Sequence, residues 1–439
     1  MPEQLAGFPY WEVAFDENGQ PADPAALDTL VTEAPAQGLS DLLIFSHGWN
    51  NDRQMARSLY ERFFAQMQQL LAGGQVTLRP GTTIGTVGVF WPSMRWPDEA
   101  LPNQPRAAAA SIGGALSDAA LATSLKAVFT TPEQQQALDQ LAQLLDTRPR
   151  DPQALARFQA LLHPLAASPD PTNALEDNGD RALLETDPQQ LFDAFADVAP
   201  AQRTGGGAGL GDSFRRLWTG AKEALRAATY WQMKKRAGIV GQTGLGPLLG
   251  RLHQAQPELR LHLLGHSFGG RLVSFALAGL PESARTPSPV KSVFLLQGAF
   301  SHFAFADSLP QEPGRSGALA GMAGRVDGPL LVSHTLFDTA LGEAYPLASI
   351  IARDDASAAS DRLFQWGAMG HDGAQAVGAA AAQLGPVGQT YPFEAGKFVN
   401  LDGNAVITAD QPFEGAHGDI FHPQIAWAAL AGAGLAGRS

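Results

Sequence analysis

Residues 259–281 read LRLHLLGHSFGGRLVSFALAGLP, and two kinds of pattern meet inside them. Leu259 to Leu264 is an apolar run of the length and composition of a buried strand. Arg271 to Leu280 carries apolar residues at helical spacing, and Pro281 ends it. Between them lies Gly265-His266-Ser267-Phe268-Gly269-Gly270, a G-x-S-x-G pattern. A serine here sits on a sharp strand-to-helix turn, where glycine is favoured at the flanks because a Cβ would clash. The turn exposes the Ser267 hydroxyl and aims it at a helix N-terminus, whose free N–H groups and dipole favour negative charge.

Other strand-like runs flank this segment. Tyr10–Phe15 precedes a turn at Glu17-Asn18-Gly19, and Asp41–Ser46 (DLLIFS) ends in His47-Gly48-Trp49-Asn50. Asn51 and Asp52 can cap a helix to about Leu71, with Met55, Leu59, Phe63, Met67 and Leu70 on one face. Thr82–Phe90 follows, closed by Trp91-Pro92-Ser93, and Val290–Gln297, Leu330–His334 and Lys397–Leu401 come after the serine. Strands alternating with helices imply an α/β fold with a mostly parallel sheet flanked by helices.

Between 94 and 238 the chain turns rich in Ala, Gln, Leu and Pro and reads as helices, among them Pro132–Asp146 and Pro188–Val198. Residues 204–211, TGGGAGLG, have the composition of a flexible linker. The expected organisation is a core of 1–93 and 239–439 interrupted by a helical insertion, 94–238. Neither G-x-G-x-x-G nor G-x-x-x-x-G-K-[ST] occurs in the insertion, so no nucleotide site is expected there.

Composition narrows the function classes. A net charge of −13 argues against a nucleic-acid partner. The absence of cysteine excludes disulfides, thiolate metal sites and a cysteine nucleophile. The N-terminal MPEQLAGFPYWEV lacks a basic n-region and an apolar h-region, and the alanine-rich 107–125 is broken by Asp118. The expectation is a soluble, cytoplasmic protein, with secretion after processing left open.

A serine hydroxyl needs a base to take its proton, and the base needs a carboxylate to set its tautomer. On an elbow of this kind the chain order is Ser, acid, His. GPLLVSHTLFD delivers Asp338 just beyond the end of the second strand after the serine, where open α/β sheets place their sites. Asp338 is the expected acid, with Asp307 and Asp361 as rivals. His417, in the glycine-flanked loop EGAHGDIFHP before a helix at Pro423–Leu430, is the expected base, with His422 as rival. The backbone N–H groups of Phe268 and Trp49 are the expected oxyanion donors, Gly48 permitting the close approach. The other histidines read as strand, helix or loop residues: His262 and His334 in strands, His163 and His253 in helices, His302 and His371 in loops without an evident partner. His266 is expected to pack beside the serine. No spacing suggests a metal site, and Asp402-Gly403-Asn404 reads as a tight hairpin turn rather than a calcium loop. No cofactor is expected.

Taken together, HGWN, GHSFGG, the late Asp338 and the late His417 resemble the α/β-hydrolase superfamily, over 1–93 and from about 240 onward. The resemblance implies a Ser267–His417–Asp338 triad, an acyl-enzyme mechanism and a carboxylic ester substrate, small or lipid-like, with peptidase or amidase as the neighbouring activity. A non-catalytic, hydrolase-like binding protein is the reading from another class. It also makes the insertion a candidate lid or cap. Within the insertion, 213–236 carries Arg215, Arg216, Lys222, Arg226, Lys234, Lys235 and Arg236 beside Trp218, Tyr230 and Trp231. A packed amphipathic helix with a solvated basic face is preferred there to a membrane-binding surface.

Overall fold

The computed structural model describes residues 2–93, 118–166, 184, 186–198, 210–310, 312–338, 367–408 and 415–436. The chain falls into two compact units, Met1–Arg95 with Lys234–Leu341 and Ala368–Ser439, and Trp96–Met233 with Gly342–Gly367.

The first unit is built on a nine-stranded sheet. Its strands are β1 (Glu3–Leu5), β2 (Phe8–Ala14), β3 (Asp41–Ser46), β4 (Ile84–Phe90), β5 (Arg260–His266), β6 (Val290–Leu296), β7 (Leu330–His334), β8 (Ala380–Gln383) and β9 (Phe398–Asp402). They lie in the order β1-β2-β4-β3-β5-β6-β7-β9-β8. Only β1 and β2 pair antiparallel; every other pair is parallel. The central strands read as near-continuous apolar runs because both faces are covered, and every residue of β3 is buried.

Helix α2 (Arg53–Ala72) starts at Asp52, whose Oδ1 accepts the Met55 N–H at 2.9 Å. Its Tyr60, Phe63, Phe64 and Met67 bury against Leu43 and Phe45 of β3, Leu264 of β5 and the C-terminal helix (Pro423–Gly432). By strand alternation Leu42 and Ile44, also buried, face the opposite side of the sheet. Helix α1 (Pro24–Ala36) opens under the Asp23 cap.

Two strands escape the sequence reading, for physical reasons. The hairpin joining β1 to β2 turns through Ala6 and Gly7, both at positive φ (49° and 85°). Such a turn is signalled in sequence by Asn-Gly or Asp-Gly, not by Ala-Gly. Strand β8 is AAAQ, and alanine is a poor strand former. The Asp402-Gly403-Asn404 turn is present, with the Asn404 N–H on Asp402 Oδ1 at 2.9 Å, but it is not a hairpin. Strand β9 is bonded in parallel on both sides, by β7 and β8, so no edge is left for a returning strand.

The second unit has an apolar core of its own. Thr131 and Gln134 form a capping box at the start of the helix Pro132–Thr147, which buries Leu138 and Leu141. Phe158, on the helix Pro152–Ala166, meets the rings of Phe192 and Trp218 edge-on, each at 5.7 Å. Gly220 is required here, since a Cβ would stand 1.7 Å from Phe192 O. Of the expected linker, 204–209 lies outside the described residues, while Leu210 and Gly211 open a helix (Leu210–Ile239). Along that helix the expected solvated basic face holds only in part: Arg215 and Arg216 are exposed, whereas Lys234 and Arg236 are buried, and Arg236 Nη1 donates to Pro92 O at 2.8 Å. Trp218, Leu225, Tyr230 and Trp231 are buried as well. Among the described residues no helix is long and apolar enough to cross a membrane.

Candidate functional site

Ser267 stands between the last residue of β5 and a helix running Phe268–Gly279, at φ 57° and ψ −124°, and it is buried rather than exposed as the motif leads one to expect. A side chain other than glycine's is strained there, so the surrounding contacts must hold it. They do so through the backbone: Ser267 N–H donates to Leu296 O at 3.1 Å, and Ser267 O accepts from Gly270 and Ala299 at 3.0 and 3.2 Å. A Cβ on Gly265 would lie 2.3 Å from Gly269 O, and one on Gly269 would lie 2.0 Å from Ser46 O. Gly270 differs from the expectation, for a Cβ there finds its nearest atom at 3.4 Å, an ordinary contact.

The HGWN loop lies against this turn. A Cβ on Gly48 would be 2.5 Å from the Ser267 Cβ, so glycine is needed for the two segments to meet. The next residue in each segment is Trp49 and Phe268, whose rings are 6.3 Å apart. Strand β3 delivers the loop, and polar contacts hold it. The His47 N–H donates to Tyr60 Oη at 3.0 Å, and Trp91 Nε1–H donates to His47 O at 3.0 Å. The His47 ring stacks on Trp91 at 5.6 Å. His47 Nδ1 is 2.9 Å from Gly48 O, an acceptor only, so Nδ1 carries the hydrogen. Burial pushes the His47 imidazole down to about 4, leaving it neutral at pH 7.

Beyond the C-terminal end of β7 the chain turns through Thr335, Leu336 and Phe337 to a fully buried Asp338. Asn404 fixes that turn, its Oδ1 accepting from the Leu336 N–H at 2.8 Å and from Thr335 Oγ1–H at 3.0 Å. His417 lies in one 3-10 turn, Gly415–Gly418, and its Nδ1 is 2.9 Å from Asp338 Oδ2. His266 ties the serine's strand to that turn. Its Nε2–H donates to His417 O at 2.8 Å, and the two rings are 5.0 Å apart. Burial, helped by the neighbouring His417, pushes His266 down to about 3, so its ring stays neutral.

The rivals fall elsewhere. Asp307 is exposed, and Asp361 lies outside the described residues. His422 Nε2 pairs with Asp419 Oδ1 at 2.7 Å and makes no side-chain cap on the helix it precedes. His302 and His371 do have a partner that sequence could not name: Asp372 stands 3.2 Å from His302 Nδ1 and 2.8 Å from His371 Nδ1. Sequence reading also missed Gln297, whose Nε2 is 3.2 Å from Asp338 Oδ2. Among the described residues no group of three or more His, Cys, Asp or Glu side chains is placed to hold a metal ion. Comparison with protein-family models, with curated proteins and with solved structures finds no match to this chain.

Proposed function

We propose that the protein is a serine hydrolase of α/β-hydrolase type that cleaves carboxylic esters through an acyl-enzyme intermediate. The reading rests on one observation above the others: the His417–Asp338 couple meets the strand carrying strained Ser267 through the His266 side chain. In this reading Ser267 Oγ attacks the ester carbonyl carbon while His417 takes the hydroxyl proton. Asp338 fixes the tautomer of His417 and stabilises the imidazolium. The tetrahedral oxyanion is held by the N–H groups of Trp49 and Phe268. Its collapse expels the alcohol, which receives the proton from His417. Water, deprotonated by His417, then releases the acid and restores Ser267.

The approach of Gly48 to Ser267 supports the assignment of the oxyanion donors. Leu336 and Phe337, the two large apolar side chains exposed among the described residues, directly precede Asp338 and favour an apolar acyl group. The assignment of the helical unit as lid or cap, and as the source of substrate choice, belongs to the same proposal. Turnover of p-nitrophenyl esters of graded acyl length, set against matched anilides, tests it. Hydrolysis of the esters well above the anilides is expected and should be lost in Ser267→Ala. Faster anilide cleavage would make the enzyme an amidase, and no Ser267-dependent turnover of either would end the reading.

A further inference from the structure

Gln297 follows β6 directly and is fully buried, yet its backbone stands at φ 46°, which a non-glycine residue rarely adopts. Strain at a buried residue implies that its surroundings over-determine its placement. Three groups do so. The Gln297 N–H donates to Ser333 Oγ at 3.3 Å, and the Ser333 hydroxyl donates to Gln297 Oε1 at 3.0 Å. Gln297 Nε2 lies 3.3 Å from Gly370 O and 3.2 Å from Asp338 Oδ2. A carbonyl oxygen can only accept, so the atom facing Gly370 O must be the amide nitrogen. With one hydrogen on Gly370 O, the other points at the carboxylate. Asp338 Oδ2 thus sits between two donors, His417 Nδ1–H at 2.9 Å and the Gln297 amide. Oδ1 has no hydrogen-bond partner among the described residues.

We propose that Gln297 is a positioning residue, which clamps the Asp338 carboxylate so that the oxygen facing His417 holds one orientation. This rests on the hydrolase reading of the site. The residue must donate from an uncharged group. A carboxylate in its place would repel Asp338 and Gly370 O, and would compete with Asp338 for a proton. Ser333 on β7 and Gly370, in the single helical turn Met369–Asp372, lock the amide from opposite sides, so three separate segments converge on the acid. The other titratable groups that sense the Asp338 charge are His266 and His371, and His371 is itself paired with Asp372.

The test is the titration of His417, followed by NMR of the full-length protein labelled with 15N in histidine, in the wild type, Gln297→Glu and Gln297→Met. Gln297→Met removes a donor from Asp338 Oδ2 and leaves more of its charge to His417, which should bind its proton roughly 10-fold more tightly in that variant, a rise of about one pH unit. Gln297→Met keeps the length without a donor and should lower kcat about 10-fold with KM unchanged. The proposal is overturned if a folded Gln297→Met protein titrates His417 as the wild type does. Should that variant fail to fold, wild-type kcat in Gln297→Glu overturns it instead. Were the wild type to turn over no ester, the hydrolase reading would fall, while the titration would still decide whether Gln297 acts on His417 through Asp338.

Discussion

Strand β5 has a hydrogen-bonded Ser292–His262–Asp41 string at its N-terminal end and a His417–Asp338 couple, reached through His266, at its C-terminal end, and the two ends differ in their backbone. At the N-terminal end His262 Nδ1 is 2.9 Å from Ser292 Oγ, and His262 Nε2 is 2.9 Å from Asp41 Oδ1. The polarity is that of a charge-supported imidazole facing a hydroxyl, as expected of Asp338, His417 and Ser267. Yet Ser292 lies on regular strand β6, and His262 is fully buried where His417 is partly exposed; the two serines are equally buried. Arg260 Nη1 sits 2.9 Å from Asp41 Oδ1, neutralising it. Burial pushes His262 below its ordinary value against the pull of Asp41, so the ring is neutral at pH 7. Burial would raise Asp41, but bonds from His262 and Ser40 and the charge of Arg260 carry it below the usual carboxylate range.

At the C-terminal end the serine leaves the strand at positive φ, a glycine loop closes on it, and a helix begins one residue later. A hydrogen-bonded string is thus not by itself the mark of a site; in the proposed reading, what distinguishes Ser267 is its positive φ and the close approach of Gly48.

The largest effect should therefore separate the two serines. Ser267→Ala is expected to lower ester turnover by about a thousandfold or more, while Ser292→Ala leaves it within about twofold. Equal losses would erase the contrast. His417→Ala should match Ser267→Ala, and His422→Ala should retain much of the activity; the reverse result would move the base to the Asp419 couple.

In stability the order inverts. Asp41→Asn removes a buried carboxylate that accepts from His262, Ser40 and the half-buried Arg260, so it should cost about 3 kcal/mol in urea unfolding with kcat unchanged. A loss below about 1 kcal/mol would mean that the lower string is not a structural pin.

The smallest effect concerns pH. His47 and His266 fold as neutral rings with values near 4 and 3, against 6.5 in the unfolded chain. Between those values the unfolded state binds more protons, so stability falls as pH drops through 6.5 and keeps falling until the folded rings titrate. Each ring can contribute up to about 2 kcal/mol of loss between pH 7 and 5. Thermal melts across that range should show the decline, and His47→Gln should flatten it. An unchanged slope in that variant would show that His47 does not remain neutral.

How much could be read from sequence follows the same division. The elbow is local: Gly265 and Gly269 are needed because backbone from β3 and from the following helix comes within reach of a Cβ. The ends of β3 and β7 are readable for the same reason, which puts Gly48, Trp49 and Asp338 in view. The lower string is not readable, because it arises from register. Leu43 pairs with His262 and His262 with Ser292, and no motif encodes that alignment. Gln297 escapes similarly. It ends an apolar run like any strand residue, and only Ser333 and Gly370, distant in sequence, turn its amide toward the acid.

One measurement bears most directly on the claim that only the C-terminal end of β5 carries a site. The intact protein would be treated with a fluorophosphonate probe and the modified residue mapped by mass spectrometry, in the wild type, Ser267→Ala and Ser292→Ala. A single label on Ser267, kept in Ser292→Ala and lost in Ser267→Ala, is expected. No label in the wild type, or a label that persists in Ser267→Ala, would contradict it.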